Sequence, residues 1–266
     1  MNPNCKKRMG AIRLENMKVI AQEEIAPAIF KLVLEGEMVE AMKAGQFLHL
    51  RVPDDAHLLR RPISISTIDK LKKQCHLIYR IEGSGTAIFS SLKPGDSLDV
   101  MGPQGNGFDL SGLNKDSKVL LVGGGIGVPP LLEVAKQLHE RGVEITTVLG
   151  FATKDAVILE DELAQYSQVF VTTDDGSYGT QGNVSVVINE CDTEFDAIYS
   201  CGAPGMMKYI NQTFYDHPRA YLSLESRMAC GMGACYACVL KVPDSETVSQ
   251  RVCEDGPVFK TGTVVL

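Results

Sequence analysis

Four cysteines near the carboxyl end constrain this chain more than any other feature. They follow the spacing C-x4-C-x2-C-x14-C, at Cys230, Cys235, Cys238 and Cys253. Three thiols on one short loop, with a fourth from further along the chain, form the arrangement that holds a [2Fe-2S] cluster. Gly231 and Gly233 suit such a loop because glycine lets the backbone approach the cluster and adopt positive φ. The spacing therefore predicts an iron–sulfur site.

Two other uses of these thiols remain open. Four cysteines can hold a structural zinc ion, but zinc sites usually pair one C-x2–4-C knuckle with a second. Cys253 has no Cys or His close to it in sequence. Disulfides belong to exported proteins, and the basic residues near the start are not followed by the apolar segment of a signal peptide. The spacing favours the iron–sulfur interpretation over both alternatives.

Composition narrows the possible classes of function. The chain has 266 residues, which suggests one or two domains with a small appendage, and 44% of them are hydrophobic. A net charge of −7 argues against nucleic-acid binding, which favours a basic face. No apolar run reaches the ~18 residues of a membrane span. We therefore expect a cytoplasmic protein that binds neither nucleic acid nor membrane, with its first ten residues as a disordered lead-in.

The first segment, predicted to span residues 11–112, consists of short strands. These strands alternate in polarity or are rich in β-branched residues, and turn residues separate them. The six predicted strands are Met17–Ala21, Ala28–Leu34, Gln46–Val52, Ile63–Thr67, Cys75–Ile81 and Ser97–Met101. Short strands at even spacing predict a closed antiparallel β-barrel.

Two stretches of this segment suit a phosphate-bearing ligand such as a flavin. In Arg60-Arg61-Pro62-Ile63-Ser64-Ile65, an arginine able to form forked bonds with phosphate stands at the start of a strand, and a hydroxyl follows it. In Glu82-Gly83-Ser84-Gly85-Thr86, glycines lead into a helical turn whose first N–H groups favour anions. Structural explanations also exist, a surface arginine pair for the first stretch and a threonine helix cap for the second.

The second segment, residues 113–224, alternates strands with helices, which predicts a doubly wound parallel sheet. The predicted strands are Lys118–Val122, Glu144–Gly150, Gln168–Thr172 and Ala197–Ser200. One helix is predicted to begin at Pro129 or Pro130 and to end at His139. The other predicted helices are Asp161–Tyr166, Asn183–Asn189 and Pro204–Phe214.

A glycine-rich loop follows the first strand of this sheet. Its glycines let the backbone approach a pyrophosphate at the start of the next helix. They are Gly123, Gly124, Gly125 and Gly127. The spacing is not G-x-G-x-x-G, so a tight structural turn is the alternative. Cys201 and Gly202 end a later strand, at the edge where open α/β sheets bind ligands. Cys201 either contacts a nicotinamide there or is a packed structural thiol.

The third segment, residues 225–266, contains the four cysteines. Val239–Val242 and Thr263–Leu266 are predicted to be short strands. About 40 residues bury little apolar surface alone, so we expect the metal cluster to hold the segment together. Large side chains flank the cysteines and either cover the cluster or offer an apolar surface to a partner. They are Met228, Met232 and Tyr236.

The order of these features resembles the ferredoxin–NADP reductase superfamily over residues 12–224. A barrel with R-P-x-S precedes a nucleotide domain with G-G-G-I-G-x-P-P and C-G-A-P-G-M-M, and a cysteine loop ends the chain. Within that superfamily the chain resembles the electron-transfer subunits of type B dihydroorotate dehydrogenases. The stretches that carry this resemblance are Arg61-Pro62-Ile63-Ser64-Ile65, Ile78-Tyr79-Arg80, Gly83-Ser84-Gly85-Thr86 and Met228–Cys235.

The resemblance implies FAD between barrel and nucleotide domain, NAD as substrate, and a [2Fe-2S] cluster on the four cysteines. By motif, the residues implied for FAD are Arg61, Pro62, Ile63, Ser64, Ile78, Tyr79, Arg80, Gly85 and Thr86. Many members of the wider superfamily carry tyrosine where Ile63 stands, so the flavin ring needs a different cover here. The implied partner is a separate FMN-containing dihydroorotate dehydrogenase catalytic subunit, with two copies of each chain in the assembly.

The implied function is electron transfer in de novo pyrimidine biosynthesis. Electrons from dihydroorotate, oxidised on the partner's FMN, would pass through [2Fe-2S] and FAD to NAD+. Alternatives of the same build are NAD(P)H-linked subunits of a hydrogenase, of a sulfide-linked diaphorase, or of a bifurcating ferredoxin:NADP oxidoreductase. A different class is a zinc-knuckle adaptor without redox activity. The residues alone do not decide between NAD and NADP, because Asp174 and Asp175 favour NAD whereas Lys154 favours the 2′-phosphate.

Overall fold

A barrel forms the first part of the chain in a computed structural model that describes residues 12–191 and 194–266. Its strands are β1 (Arg13–Ala26), β2 (Ile29–Glu35), β3 (Phe47–Leu50), β4 (Arg61–Asp69), β5 (Gln74–Arg80) and β6 (Ser97–Gln104). They pair antiparallel in the order β1-β2-β5-β4-β3-β6, and β6 returns to β1. The prediction of a closed barrel is confirmed. The predicted lead-in, and residue 11 as the start of this segment, lie outside the described residues.

The barrel encloses its own core because neighbouring strand residues point to opposite faces. On β3, Leu48 and Leu50 lie inside with the barrel's other apolar side chains. Phe47 packs instead with the second half of the molecule, and the alternation places His49 on the same outer face. One short strand therefore joins the barrel core to the rest of the structure.

The remaining strands build a second sheet and a small hairpin. They are β7 (Lys118–Gly124), β8 (Glu144–Phe151), β9 (Gln168–Thr173), β10 (Thr180–Gln181), β11 (Ala197–Cys201), β12 (Ala220–Ser223), β13 (Val239–Lys241), β14 (Ser249–Arg251) and β15 (Val258–Lys260). The sheet has the order β10-β9-β8-β7-β11-β12-β15. It is parallel except for β15, which runs antiparallel to β12. The hairpin consists of β13 and β14.

Helices cover both faces of the sheet. They are α2 (Pro129–His139), α3 (Glu160–Ala164), α4 (Val184–Glu190) and α5 (Pro204–Thr213), while α1 (Ser84–Phe89) belongs to the barrel. Short 3-10 turns cover Glu37–Ala41, Gly125–Gly127 and Lys154–Ala156. Val119 and Leu121 of β7 pack on the α2 side, whereas Leu120 and Val122 pack on the α4 and α5 side. The doubly wound sheet is confirmed. No described helix is long and apolar enough to cross a bilayer.

The end of the chain differs from the sequence prediction. Thr263–Leu266 is not a strand, and the strand in this region is β15 instead. Gly262 has φ +76° and turns the chain away after β15, so the β-branched run that follows leaves the sheet. Only the Val265 N–H then reaches the hairpin, where it donates to the Lys241 carbonyl at 2.9 Å. The sheet itself thus extends past residue 225, into the segment of the cysteines.

A buried carboxylate joins the barrel to the second sheet. Glu133 of α2, 3% exposed, accepts a hydrogen bond from the Ile68 N–H of β4 at 2.9 Å. Gln137 donates to its other oxygen at 2.8 Å, and Lys136 reaches the Ile68 carbonyl at 3.4 Å. Because β4 begins with the predicted flavin motif and α2 begins at the glycine loop, this contact fixes the two predicted sites relative to one another.

The substitution Glu133→Gln tests this joint through the pH dependence of stability. Burial raises the pKa of Glu133 above its ordinary 4.5. A raised folded-state pKa means that the carboxyl stabilises the fold most at low pH, and that this contribution is lost as the pH rises through the folded pKa. Glutamine does not titrate, so the free energy of unfolding should shift in favour of the variant as the pH rises above 4.5. Denaturant unfolding from pH 4 upward measures the difference.

The control for this experiment is Glu162→Gln, since Glu162 is exposed on α3. It should leave the difference in unfolding free energy constant across the same pH range. Parallel pH profiles for wild type and Glu133→Gln would contradict the assigned joint.

Candidate functional site

A crevice opens at one edge of the second sheet. From β7 the chain builds outward through β8, β9 and β10, and it then returns to place β11 on the other side of β7. The carboxyl ends of β7 and β11 therefore diverge into loops that cover opposite faces, and ligands bind at such a point. Gly123 and Gly124 end β7, while Cys201 ends β11 directly opposite Gly123. The structure thus brings the predicted glycine loop together with Cys201 and Gly202.

The crevice requires glycine at several positions because backbone meets backbone. A Cβ on Gly127 would lie 2.5 Å from the Cys201 carbonyl oxygen and 2.6 Å from the Gly202 Cα. A Cβ on Gly124 would lie 2.8 Å from the Met206 sulfur. Gly125 has φ +52° with open space beside it. The loop leads into α2, whose free N–H groups favour a pyrophosphate.

An arginine and a glycine from the two predicted flavin stretches meet at the end of the barrel. A Cβ on Gly85 would lie 2.7 Å from the Arg61 Nε, so the guanidinium covers bare backbone. Arg61 donates to the Leu59 carbonyl at 2.6 Å, and no carboxylate among the described residues lies within ion-pairing distance of it. The Thr86 hydroxyl accepts the N–H groups of Glu82 and Gly83 at 3.0 and 3.2 Å. A cation above an ordered glycine turn fits the phosphates of FAD.

The side chains of the other predicted flavin residues point in different directions. Pro62, Ile63 and Ser64 are half-buried on β4. Ile78 faces the core shared with the second sheet, whereas Arg80 is exposed and paired with Glu82. Tyr79 lies in the barrel core, where its hydroxyl accepts from Gln22 at 2.6 Å and burial raises its pKa to about 12. The Tyr79 ring therefore packs inside the barrel, and only the backbone of this residue is free to contact FAD.

The four cysteines lie on a loop that turns backbone N–H groups toward sulfur. Met232 and Cys235 each donate to the Cys230 sulfur at 3.4 Å, and Gly233 donates to the Cys253 sulfur at 3.2 Å. Gly231 and Gly233 have φ of +65° and +80°, the left-handed region that favours glycine. The described residues contain no group of three or more His, Cys, Asp or Glu side chains placed for a single metal ion.

Instead, the thiols influence one another along the loop: Cys230 interacts with Cys235, and Cys253 interacts with Cys238 and, more weakly, with Cys230. Two thiolates per iron is the ligation that four cysteines give a [2Fe-2S] cluster. Burial is the largest single influence on Cys230 and opposes its ionisation, but the backbone N–H donors and the Cys235 thiol together outweigh it and lower the pKa of Cys230 to about 7. Burial and the neighbouring Cys238 raise the pKa of Cys253 to about 12. Metal coordination deprotonates such a thiol outright, so the donor set fits the cluster.

Arg251 organises the cysteine loop, and the sequence analysis gave it no role. It donates to the Gly233 carbonyl at 2.8 Å and forms ion pairs with Glu254 at 2.7 Å and Asp255 at 3.3 Å. Its guanidinium lies 4.9 Å from the centre of the Tyr236 ring, and Tyr236 has φ +58°. One side chain thus links the three-cysteine turn to the segment of the fourth cysteine.

The barrel supports the cysteine loop through its own backbone. At the end of β6, the Asn106 N–H donates to the Gly256 carbonyl at 2.7 Å. The Asn106 amide donates to the carbonyls of Glu254 and Asp255 at 3.0 and 3.2 Å. Phe47 of β3 packs in the same core as Cys238 and Cys253. The fourth cysteine is therefore fixed by the flavin barrel as well as by the sheet.

Two buried polar side chains of the barrel face the turn of the first cysteine. His49 is 0% exposed and Gln104 is 1% exposed. Both ring nitrogens of His49 and the Gln104 Oε1 have no partner in hydrogen-bonding geometry among the described residues. A Cβ on Gly231 would overlap the His49 Nδ1 and lie 2.8 Å from the Gln104 Oε1. Burial, with Arg60 and Arg61 nearby, lowers the pKa of His49 to about 4, although the Arg60 backbone opposes this shift.

Glu225 is a further residue that the sequence analysis passed over. It follows β12, its side chain reaches solvent in the crevice, and it interacts with the Cys201 thiol. Desolvation by the surrounding protein and the nearby Glu82 raise the pKa of Glu225. Burial and Glu225 in turn raise the pKa of Cys201 to about 12, so this thiol is protonated. An acidic residue directly after an apolar strand was the available signal in the sequence.

Comparison with known families assigns the three parts in the same order. Residues 14–108 match the oxidoreductase FAD-binding domain, and residues 121–212 match the oxidoreductase NAD-binding domain. Residues 225–265 match the iron–sulfur cluster binding domain of dihydroorotate dehydrogenase B.

Solved structures give the same fold. A chain of an NADH-dependent reduced ferredoxin–NADP oxidoreductase superposes with a TM-score of 0.83 at 30% identity, covering 94% of this chain and 90% of that one. A ferredoxin–NADP+ reductase from Neisseria gonorrhoeae superposes at 0.65 with 16% identity, covering 77% and 92%. The second likeness is one of fold alone.

Curated relatives cover the chain nearly end to end. The dihydroorotate dehydrogenase B (NAD(+)) electron transfer subunit of Streptococcus pneumoniae (strain ATCC BAA-255 / R6) is 86% identical over 96% of this chain and 100% of its own length. The protein of the same name from Geobacillus kaustophilus (strain HTA426) is 52% identical over 95% of this chain and 98% of its own. The chain therefore belongs to the family of dihydroorotate dehydrogenase B electron transfer subunits.

Proposed function

We propose that this chain passes electrons from dihydroorotate, oxidised on the FMN of a separate catalytic subunit, through a [2Fe-2S] cluster and FAD to NAD+. This reaction belongs to de novo pyrimidine biosynthesis. The observation that carries the proposal is the position of the cysteine loop. Asn106 of the barrel holds the segment of its fourth cysteine. The segment begins at Glu225, two residues after Ser223, which pairs with Cys201 at the crevice. One loop thus adjoins both other sites.

Each part of the chain has a distinct task in this proposal. The four cysteine thiols hold the cluster. Arg61 and the Gly85–Thr86 turn bind the phosphates of FAD, while Pro62, Ile63, Ser64, Ile78 and the Tyr79–Arg80 backbone border the flavin. Gly123–Gly127 and Cys201–Gly202 receive NAD. A flavin exchanges electrons singly or in pairs, so it joins a one-electron cluster to hydride chemistry. The protein's contribution is to fix these sites and exclude water, with Glu225 and Cys201 beside the nicotinamide.

The face around the cysteine loop is the surface we assign to the catalytic partner. Met232 and Tyr236 are 45% and 58% exposed on that loop, and Val239 and Val248 of the adjoining hairpin are 41% and 54% exposed. Exposed aromatic, Met and aliphatic side chains are typical of interaction sites. Cys235 is exposed among them, which brings one cluster ligand to the contact. We propose a cytoplasmic assembly with two copies of each chain.

A second candidate function is that of the small subunit of a bifurcating complex. The structure of NADH-dependent reduced ferredoxin–NADP oxidoreductase supports it, with 30% identity over 94% of this chain. The 86% identity to a dihydroorotate dehydrogenase B subunit favours the first function. Isolation of the native complex, with its flavins identified and its reaction with dihydroorotate and NAD+ assayed, decides between them.

The substitution Cys235→Ser separates the cluster from the flavin. The variant should retain FAD and the reduction of dyes by NADH, because neither task passes electrons through the cluster. It should lose electron transfer to the catalytic subunit, since one iron lacks a thiolate. Flavin content, dye reduction and dihydroorotate-dependent NADH formation are measured on the complex.

Cys191→Ser is the matched control, because Cys191 lies at the end of α4 and outside the cysteine loop. It should leave all three measurements unchanged. Normal electron transfer to the partner by Cys235→Ser would contradict the proposed route through the cluster.

The substitution Gly127→Ala tests the nucleotide crevice. An alanine Cβ would press on the backbone of Cys201 and Gly202, which cannot move aside as a side chain can. We expect NADH to bind at least about tenfold more weakly, or about 1.4 kcal/mol, with FAD and cluster retained. Two measurements test this expectation. Calorimetric titration of the oxidised protein gives its affinity for NAD+, which occupies the same crevice, and dye reduction gives the KM for NADH.

Gly205→Ala serves as the control, because a Cβ there meets no atom within 4 Å and helical glycine gains from alanine. Its affinity for NAD+ should match wild type. Equal affinities for NAD+ in Gly127→Ala and wild type would show that NAD does not bind in this crevice.

A further inference from the structure

The outer face of β3 lies between the predicted flavin motif and the cysteine loop. On one side, His49 and Phe47 pair with Pro62 and Ser64 of β4, one strand spacing or about 4.8 Å away. On the other side, Phe47 packs with Cys238 and Cys253, and His49 faces Gly231, the neighbour of Cys230. A single strand therefore lies between the predicted flavin motif and the cysteine loop, and His49 is its polar residue on that face.

The unpaired polar atoms at this position need an explanation. A buried donor or acceptor without a partner destabilises the fold, and His49 with Gln104 leaves three such atoms in one place. An apolar pair would fill the same space without that cost. Gly231 is bare on the side that faces them, and its neighbour Cys230 supplies a sulfur that already accepts two backbone N–H groups. The polar pair therefore lies against the turn that directly follows Cys230.

We propose that His49, which lies beside Gln104 against Gly231, is the barrel's hydrogen-bond donor to the [2Fe-2S] cluster at Cys230, and that it raises the cluster's reduction potential. This inference rests on the proposed cluster site. Hydrogen bonds to cluster sulfurs stabilise the reduced, more negative state. A neutral imidazole supplies such a bond without adding a formal charge. His49 therefore acts on the cluster directly, from the strand next to the flavin motif.

The experiment compares His49→Leu with His49→Asn in the intact complex of this chain with its catalytic subunit. Leucine removes both ring nitrogens at similar volume, whereas the asparagine amide lies close to the position of Nδ1 and retains a donor. His76→Leu is the control, because His76 is a half-buried histidine on β5, away from the cysteine loop. Iron and sulfide content, the EPR spectrum of the reduced cluster and its midpoint potential in a dye-mediated titration are measured for each protein.

We expect His49→Leu to keep its cluster while the reduction equilibrium shifts about tenfold toward the oxidised form, which is 59 mV for one electron. His49→Asn should recover most of that shift, and His76→Leu should match wild type. The FAD potential should stay constant in all three variants. A general loosening of the fold would change the FAD potential as well as that of the cluster.

Two results would overturn the inference while leaving the proposed function intact. The first is a wild-type potential in His49→Leu with full cluster content. The second is loss of the cluster from both His49 variants, which would make the residue a packing element of the loop. Absence of a cluster from the wild-type complex would instead refute the proposed function itself.

Discussion

The structure depends on how a segment too small to form a core is held in place. The cysteine segment has about 40 residues, which bury little apolar surface by themselves. The other two parts of the chain hold it in place. Asn106 of the barrel donates hydrogen bonds to it, and its strand β15 pairs with β12 of the sheet. Cys238 and Cys253 share a core with Phe47 of the barrel and Leu222 of the sheet. The cluster loop is thereby a joint of the whole molecule rather than a separate appendage.

The same logic applies to the contact between barrel and sheet. The connection after β6 is tied down by side chains of the second half, since Tyr199 donates to the Asp109 carbonyl at 2.6 Å and Arg219 donates to the Ser111 carbonyl at 2.7 Å. Glu133 adds the buried contact to Ile68. These bonds end on backbone groups, which leave little freedom for a hinge. Fixed separations suit electron and hydride transfer, where a displacement of about 1 Å is costly.

Local patterns predicted most of the fold, and long-range contacts account for what they missed. Alternation and turn residues sufficed for the barrel, and the glycine loop with Cys201 was placed correctly at one crevice. The terminal run Thr263–Leu266 has strand composition, but Gly262 turns it away from the sheet. His49 was overlooked because a lone polar residue in an apolar strand acquires meaning only beside Gly231, 182 positions later. Arg251 likewise gains its role from Gly233 and Tyr236.

The meeting of three sites at one end follows from the topology of the parallel sheet. Parallel strands present their carboxyl ends at one edge, so the loops after β7, β11 and β12 emerge side by side. The first two form the crevice predicted to bind NAD, and the third is the start of the cysteine segment. A cysteine segment that follows β12 therefore begins beside the crevice, and no additional connecting segment is needed. Returning β15 antiparallel along β12 then brings the segment of Cys253 back to the barrel at Asn106, which closes the route between flavin and cluster.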